Sequence, residues 1–116
     1  MGRIASKVPM ATIIWQNTAK QQLIENITYA LIEFGETTAN RWETDVQAVE
    51  WRLARYPVSF PPEPLLSSRQ KLYRYCHVMH RRFKIIYFYD EANDVVTIMD
   101  IWDTRMNPQA LIRRIK

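Results

Sequence analysis

The chain has 116 residues and a mass of 13.9 kDa, the size of one domain, which excludes a large multidomain enzyme. Hydrophobic residues make up 47% and charged residues 24%, with a net charge of +4, so neither a disordered tail nor a fibrous repeat is expected. No apolar run approaches the roughly 20 residues that cross a bilayer, and a single cysteine, Cys76, excludes an internal disulfide and a multi-cysteine zinc site. We therefore expect one cytoplasmic domain over residues 1–116, with no membrane association, no metal and no cofactor.

The first third of the chain predicts a strand and a helix. Residues 1–9 show no periodicity and are expected to form a loosely ordered leader, whereas the apolar and β-branched run 10–15 indicates a strand. Thr18 has the spacing of a capping box with the glutamine three residues later, so a helix is predicted over 18–34. Gly35 stands where a left-handed helix end is expected.

A second helix is predicted from Thr38 to just before Pro57. Its apolar residues recur at separations of four and three, which draws one continuous seam: Trp42, Val46, Val49, Leu53 and Tyr56. Because the connection after Gly35 is short, the two helices should lie antiparallel. Four prolines between 57 and 64 then indicate an extended crossing to a second layer.

The last third predicts three antiparallel strands over about 71–79, 82–90 and 94–103, because the period of the apolar residues changes to two. With His80 and Arg81 as the two turn residues, His77 pairs with Lys84. A short basic helix, 109–116, is expected at the end.

The predicted strands have two unlike faces. One should receive the helices and is apolar: Leu72, Cys76, Val78, Phe83, Ile85, Tyr87, Tyr89, Val96, Ile98 and Trp102. The other mixes aromatic and cationic groups and should be open to a partner: Tyr73, Tyr75, His77, Arg82, Lys84, Ile86 and Phe88. Residues 64–89 contain six basic residues and no acidic one, so a nucleic acid or an acidic peptide is a candidate partner.

The order of strand, helical hairpin, proline-rich crossing, three-stranded meander and short tail resembles the RelE/ParE superfamily of toxins from type II toxin-antitoxin, or plasmid stabilization, systems. The specific part of the resemblance is the segment 83–87 (FKIIY), followed by an aliphatic strand that runs into Arg105. Tyr56 and Pro57 after the second helix are also similar to the family pattern. The resemblance implies an α+β fold in which the N-terminal strand and an antiparallel α-hairpin pack on an antiparallel sheet of about four strands.

The resemblance also implies a bacterial growth inhibitor that a cognate antitoxin holds inactive. Members similar to RelE cut messenger RNA on the ribosome, and members similar to ParE inhibit DNA gyrase without bond chemistry. If this chain cuts RNA, the catalytic candidates are His77 as acid or base, with Lys84 and Arg105 on the phosphate. Contacts to the target are expected from two aromatic and four basic side chains: Tyr73, Tyr75, Arg81, Arg82, Arg113 and Arg114.

The sequence departs from the RelE pattern at positions that matter for RNA cleavage. Tyr75 and His77 stand where nucleases similar to RelE have two lysines, and the tail 106–116 contains no tyrosine or histidine. We therefore favour gyrase inhibition, with ribosome-dependent RNA cleavage as the alternative. A second alternative, based on the basic meander alone, is a non-toxic nucleic-acid-binding or regulatory module.

Overall fold

The computed structural model describes residues 10–115, so the expected leader 1–9 lies outside the described residues. The chain forms, in order, β1 (Thr12–Trp15), α1 (Asn17–Phe34), α2 (Glu36–Arg55), a 3-10 turn (Pro64–Leu66), β2 (Tyr73–Val78), β3 (Phe83–Asp90), β4 (Val95–Asp103) and α3 (Pro108–Arg114). The predicted α+β class, helical hairpin and four-stranded sheet are confirmed.

Gly35 is the single residue between the two long helices. Its φ of +95° lies in the region that favours glycine, and its N–H donates to the carbonyl of Ala30 at 3.0 Å, which closes α1. The connection between the two helices is therefore one residue long, which is shorter than predicted. The predicted capping box is wrong, since α1 begins at Asn17 and its cap residue makes no side-chain hydrogen bond.

The sheet order is β1-β4-β3-β2, and β2 pairs with β3 in the predicted register. Tyr75 lies opposite Ile86, and His77 lies opposite Lys84. The antiparallel prediction is wrong for β1, which runs parallel to β4. Alternation of apolar residues indicates a strand but not its direction, and no turn connects these two strands, so tertiary packing decides how they pair.

A bulge interrupts the pairing of β3 with β4. Ile86 lies opposite Asp100, whereas its neighbour Tyr87 lies opposite Ile98, so β4 has one extra residue at this point. The extra residue reverses the alternation beyond it. Trp102, predicted to face the helices, therefore lies on the opposite side of the sheet, and Ile101 takes its place.

Both faces of the sheet carry a hydrophobic core. The hairpin face packs against α1 and α2, and its buried sheet residues are Cys76, Val78, Ile85, Tyr87, Val96, Ile98 and Ile101. The outer face is partly covered by the 3-10 turn and α3, and its sheet residues include Tyr73, Tyr75, His77, Lys84, Ile86, Phe88 and Trp102. Leu72, predicted to face the helices, precedes β2 and is 55% exposed. Burial raises the pKa of the Cys76 thiol to about 12, as expected of an inert packing residue.

The β2–β3 connection is longer than the predicted two-residue turn. The last paired residues are Val78 and Phe83, so residues 79–82 form the connection and the predicted pairing of Met79 with Arg82 is absent from the ladder. The N–H of Arg82 donates to the carbonyl of Met79 at 3.1 Å, which closes the turn. Met79, His80 and Arg81 have φ values of 54°, 54° and 68° and none is glycine, so the turn is strained by about 1–2 kcal/mol at each of them.

Candidate functional site

The outer face brings three of the predicted site residues together. Lys84 lies opposite His77 in the register, and its Nζ is 4.2 Å from the centre of the Tyr75 ring. The rings of Tyr75 and His77 meet edge to face at 5.3 Å. Two of these contacts join neighbouring strands, so they follow directly from the hairpin register that the sequence predicts.

A carboxylate that the sequence reasoning missed holds Lys84. The Oε1 of Glu63 lies 2.9 Å from the Nζ of Lys84, and the Glu63 side chain is fully buried. Its second oxygen accepts the N–H of Leu65 at 3.0 Å, which caps the 3-10 turn. Both carboxylate oxygens are therefore engaged, and the positive charge of Lys84 is paired inside the protein. The signal in the sequence is an acidic residue directly before Pro64, a pattern typical of a cap.

His77 lies half-buried beside this ion pair. Burial and the positive charges of Arg81 and Lys84 lower the pKa of His77, while the carboxylate of Glu63 offsets part of that effect. The imidazole is therefore neutral at pH 7. A neutral imidazole can accept a proton, but it adds no positive charge for binding a phosphate.

The rest of the outer face is covered by the protein itself. Tyr73 is 4% exposed and packs edge to face against Phe88 at 5.8 Å, so its ring is not available for stacking on a base. Leu66, Leu111 and Ile115 cover Ile86 and Trp102. The predicted open aromatic and cationic face is therefore limited to the end that carries Tyr75, His77 and Lys84.

Arg69 fastens the short helix α3 over this second core. It donates to the carbonyls of Ile112 and Ile115, the latter from Nε at 3.0 Å. The last carbonyls of a helix have no partner within the helix, so the guanidinium both satisfies them and stabilises the negative end of the helix dipole.

Arg114 is a structural residue as much as a surface one. Its guanidinium pairs with the buried carboxylate of Asp100 and lies 5.2 Å from the Trp102 ring. Burial raises the pKa of Asp100, and Arg114 only partly counters that rise. The neighbouring Arg113 is exposed at the surface of α3.

Arg105 lies apart from the Lys84 pair. It is exposed and binds Asp103 through two nitrogens, with Nε to Oδ1 at 3.1 Å and Nη2 to Oδ2 at 2.9 Å. This hydrogen bonding lowers the pKa of Asp103. Arg105 and Arg82 line a cavity of about 310 Å³ between the end of α1 and the β2–β3 turn, with an aromatic floor that includes Trp42 and Phe83.

Three cations of the predicted set, Arg81, Arg82 and Arg113, are exposed, and no ion pair is found for them within residues 10–115. Arg81 and Arg82 lie in the strained turn, and Arg113 lies near the C-terminus.

No cluster of three or more histidine, cysteine, aspartate or glutamate side chains suited to a metal ion occurs in the described part of the chain. The helices within 10–115 include none that is long and apolar enough to span a membrane.

Comparison with known proteins agrees with this architecture. The family model described as "ParE toxin of type II toxin-antitoxin system, parDE" matches residues 13–108. A chain from the structure of the chromosomal ParDE toxin-antitoxin system of P. aeruginosa is similar, with a TM-score of 0.63 and 15% identity over 81% of this chain and 96% of that one. A chain from the RelBE2 toxin-antitoxin complex of Mycobacterium tuberculosis aligns with a TM-score of 0.48 and 16% identity over 88% of this chain and 100% of that one. No curated protein matches significantly in sequence.

The family model covers the strand, both long helices and the whole meander, and the P. aeruginosa chain shares the fold. The chain therefore belongs to the ParE toxin family of type II toxin-antitoxin systems.

Proposed function

We propose that this chain inhibits bacterial growth in the cytoplasm by binding DNA gyrase, does not cleave RNA, and is neutralised by a cognate antitoxin. The observation that carries the proposal is the pairing of Lys84 with the buried Glu63. A cation already paired inside the protein is a poor ligand for the phosphate of a scissile RNA bond.

Cleavage of RNA needs a base for the 2′-hydroxyl, an acid for the leaving oxygen and cations for the growing phosphate charge. Of the three candidates, Lys84 is paired with Glu63 and Arg105 is paired with Asp103. Arg105 also lines a different cavity from His77. The three groups therefore do not converge on one reacting atom, and inhibition by binding is the better match.

The exposed cations supply a surface for the target. Arg81 and Arg82 lie at the end of the β2–β3 connection, and both are exposed. Arg113 adds a third exposed charge on α3. We assign the contact with gyrase to these side chains, because exposed arginines steer and orient association with an acidic partner surface.

An antitoxin partner is supported by the family and by the P. aeruginosa neighbour, whose structure is described as a ParDE toxin-antitoxin system. The basic pI of about 9.4 favours an acidic partner. We expect the reading frame next to this one to encode that antitoxin.

RNA cleavage on the ribosome is the second candidate function. The adjacency of Tyr75, His77 and Lys84 at the uncovered end of the outer face favours it. A stacking ring, a neutral imidazole and an ammonium lie within reach of one another there. If the Lys84 ammonium exchanged its carboxylate partner, Glu63, for a phosphate of the RNA backbone, the cluster would become a phosphate site.

Two assays separate the candidates. Purified protein is added to a gyrase supercoiling reaction and, in parallel, to translating ribosomes with a defined messenger RNA. We expect loss of supercoiling and intact RNA. The double variant Arg81→Glu/Arg82→Glu should weaken gyrase inhibition at least tenfold, whereas Lys20→Glu, an exposed charge reversal on α1, should leave it unchanged.

The opposite result identifies the alternative. Cleaved RNA that is lost in Lys84→Ala and Arg105→Ala and reduced in His77→Ala would assign the nuclease activity to the predicted residues. Normal growth on expression, with neither activity, would leave the non-toxic nucleic-acid-binding module as the explanation.

A further inference from the structure

The outer edge of β2 is only partly paired within the described residues. In an antiparallel pair, alternate residues direct both backbone groups to the same side of the strand. The N–H of Tyr75 donates outward to the carbonyl of Pro61 at 3.1 Å, and the carbonyl of Tyr73 accepts the N–H of Glu63 at 2.8 Å. The backbone N–H and carbonyl groups of the odd-numbered residues in β2 therefore point away from β3. His77 is the next odd-numbered residue after Tyr75.

The outward backbone groups of His77 lie between two positions whose backbone groups already have hydrogen-bond partners. On one side the chain's own segment forms a single antiparallel bridge, Pro62 with Arg74. On the other side the N–H of Met79 donates to the Oδ2 of Asp45 at 2.8 Å. Within residues 10–115, no hydrogen bond is found for the outward carbonyl of Tyr75 or for the N–H and carbonyl of His77.

His77 lines a groove of about 410 Å³ between β2 and α2. Its apolar side is formed by residues such as Val49 and Phe60. Its charges include the exposed Arg52 and Arg81, and its carboxylate is that of Asp45, half-buried and already accepting a backbone N–H. The groove therefore presents the guanidinium groups of Arg52 and Arg81 beside the backbone N–H and carbonyl of His77, for which no hydrogen bond is found within residues 10–115.

We propose that an extended, acidic segment of the antitoxin adds a short strand to β2 at His77. The inference rests on the proposed antitoxin partner and names where and how part of that partner binds. An added strand satisfies backbone groups that water otherwise solvates, and alternate side chains give it specificity. The short gap admits three or four residues, with an aliphatic side chain toward Val49 and carboxylates toward Arg52 and Arg81.

Hydrogen exchange at single-residue resolution tests the geometry directly. The uniformly ¹⁵N-labelled chain is measured alone and in complex with the protein encoded by the adjacent reading frame. The His77 amide should exchange rapidly in the isolated chain and at least a hundredfold more slowly in the complex. The amide of Tyr75, already bonded to Pro61, serves as the internal reference and should be protected in both states.

Two variants at one position separate the backbone from the side chain. His77→Pro removes the outward N–H and should weaken antitoxin binding at least tenfold, since edge positions tolerate proline. His77→Ala retains the N–H and should bind within about twofold of the wild type, by the same backbone argument. Arg52→Glu/Arg81→Glu should weaken binding and reduce its salt dependence.

Several outcomes would overturn the inference. Slow exchange of the His77 amide in the isolated chain would mean that the edge is already occupied. A tight complex in which that amide exchanges as fast as before would place the antitoxin elsewhere and leave the proposed function intact. Toxicity without any binding between the two proteins would remove the antitoxin partner, and this inference with it.

Discussion

The two faces of the sheet are buried by different means. The hairpin face is covered by two helices of 18 and 20 residues through a continuous apolar core. The outer face is covered by a three-residue turn and a seven-residue helix, and charged groups hold both in place. Glu63 pairs with Lys84, and Arg114 pairs with Asp100. A small cover buries too little apolar surface to hold itself, so ion pairs and capping bonds supplement it.

This difference separates stability from function within one sheet. The hairpin face offers little chemistry to a partner, because its buried residues are apolar except for the inert thiol of Cys76 and the hydroxyl of Tyr87, which donates to the carbonyl of Pro57. The outer face keeps its titratable groups and one uncovered end. Its ion pairs stabilise the cover and also withdraw cations from any substrate. The following predictions test that division.

The largest effect is expected on the hairpin face. Leu53 is fully buried at the seam between α2 and the sheet. Leu53→Ala should lower the free energy of unfolding by about 4 kcal/mol, because the surrounding helices and sheet cannot close the cavity. Urea denaturation monitored by circular dichroism measures this loss in the free energy of unfolding. A loss below about 1 kcal/mol would show that the hairpin core is loosely packed.

The next effect is expected from the buried ion pair of the outer face. Glu63→Ala should lower the free energy of unfolding by about 3 kcal/mol, since it leaves the ammonium of Lys84 without its partner and uncaps the 3-10 turn. Asp103→Ala removes a more exposed carboxylate from Arg105 and should cost less than about 1 kcal/mol. Equal losses in the two variants, by urea titration, would contradict a special role for Glu63.

A smaller loss is expected where α3 packs on the outer face. Leu111 is as fully buried as Leu53, but it lies on a short helix. Leu111→Ala should lower the free energy of unfolding by about 2 kcal/mol, near the low end of the range, because α3 can move to fill the cavity. Urea denaturation of the Leu53→Ala and Leu111→Ala variants under the same conditions gives the ratio of the two losses in free energy of unfolding. A cost equal to that of Leu53→Ala would show that both covers are equally rigid.

The smallest effect depends on pH. The lowered pKa of His77 means that the unfolded chain takes up a proton more readily than the folded one. Stability from this group is therefore present above the unfolded pKa of 6.5 and is lost as the pH falls through the folded value. His77→Asn should lose less stability than the wild type between pH 7 and about pH 5. His80→Asn, in the exposed turn, is the matched control, and parallel curves for wild type and His77→Asn would contradict the assignment.

The sequence was most informative where a single local pattern was sufficient. The helical spacing predicted the buried seam of α2, and Trp42, Val46, Val49 and Leu53 are buried. The prediction is wrong for the fifth member, Tyr56, which follows the last turn of α2 and is 53% exposed. Centring the β2–β3 connection on His80 and Arg81 predicted the register, which places His77 opposite Lys84, although the connection itself is four residues long. These features depend on residues close together in the chain, so periodicity and the position of the turn determine them.

The errors occurred where distant segments meet. The bulge opposite Ile86 moved Trp102 to the outer face, because one extra residue reverses the alternation and leaves no mark in an apolar strand. Trp51, whose large apolar ring alone predicts burial, is 56% exposed, with the Arg55 guanidinium 4.1 Å from its ring. The site residues were likewise predicted from residue type alone, without the carboxylates of Glu63 and Asp103 that pair with Lys84 and Arg105.

By itself the sequence determined the order of the elements, the helical hairpin and the register of β2 with β3, since each follows from spacing along the chain. Its resemblance to the toxin superfamily was also visible in the order of the elements and the segment 83–87. Only the tertiary structure decided that β1 runs parallel to β4, that α3 packs on the outer face, and that Glu63 and Asp103 pair with Lys84 and Arg105. The physical reason is that a charge or a strand edge takes its character from what lies next to it in space. Those neighbours come from segments tens of residues away, and only packing brings them together.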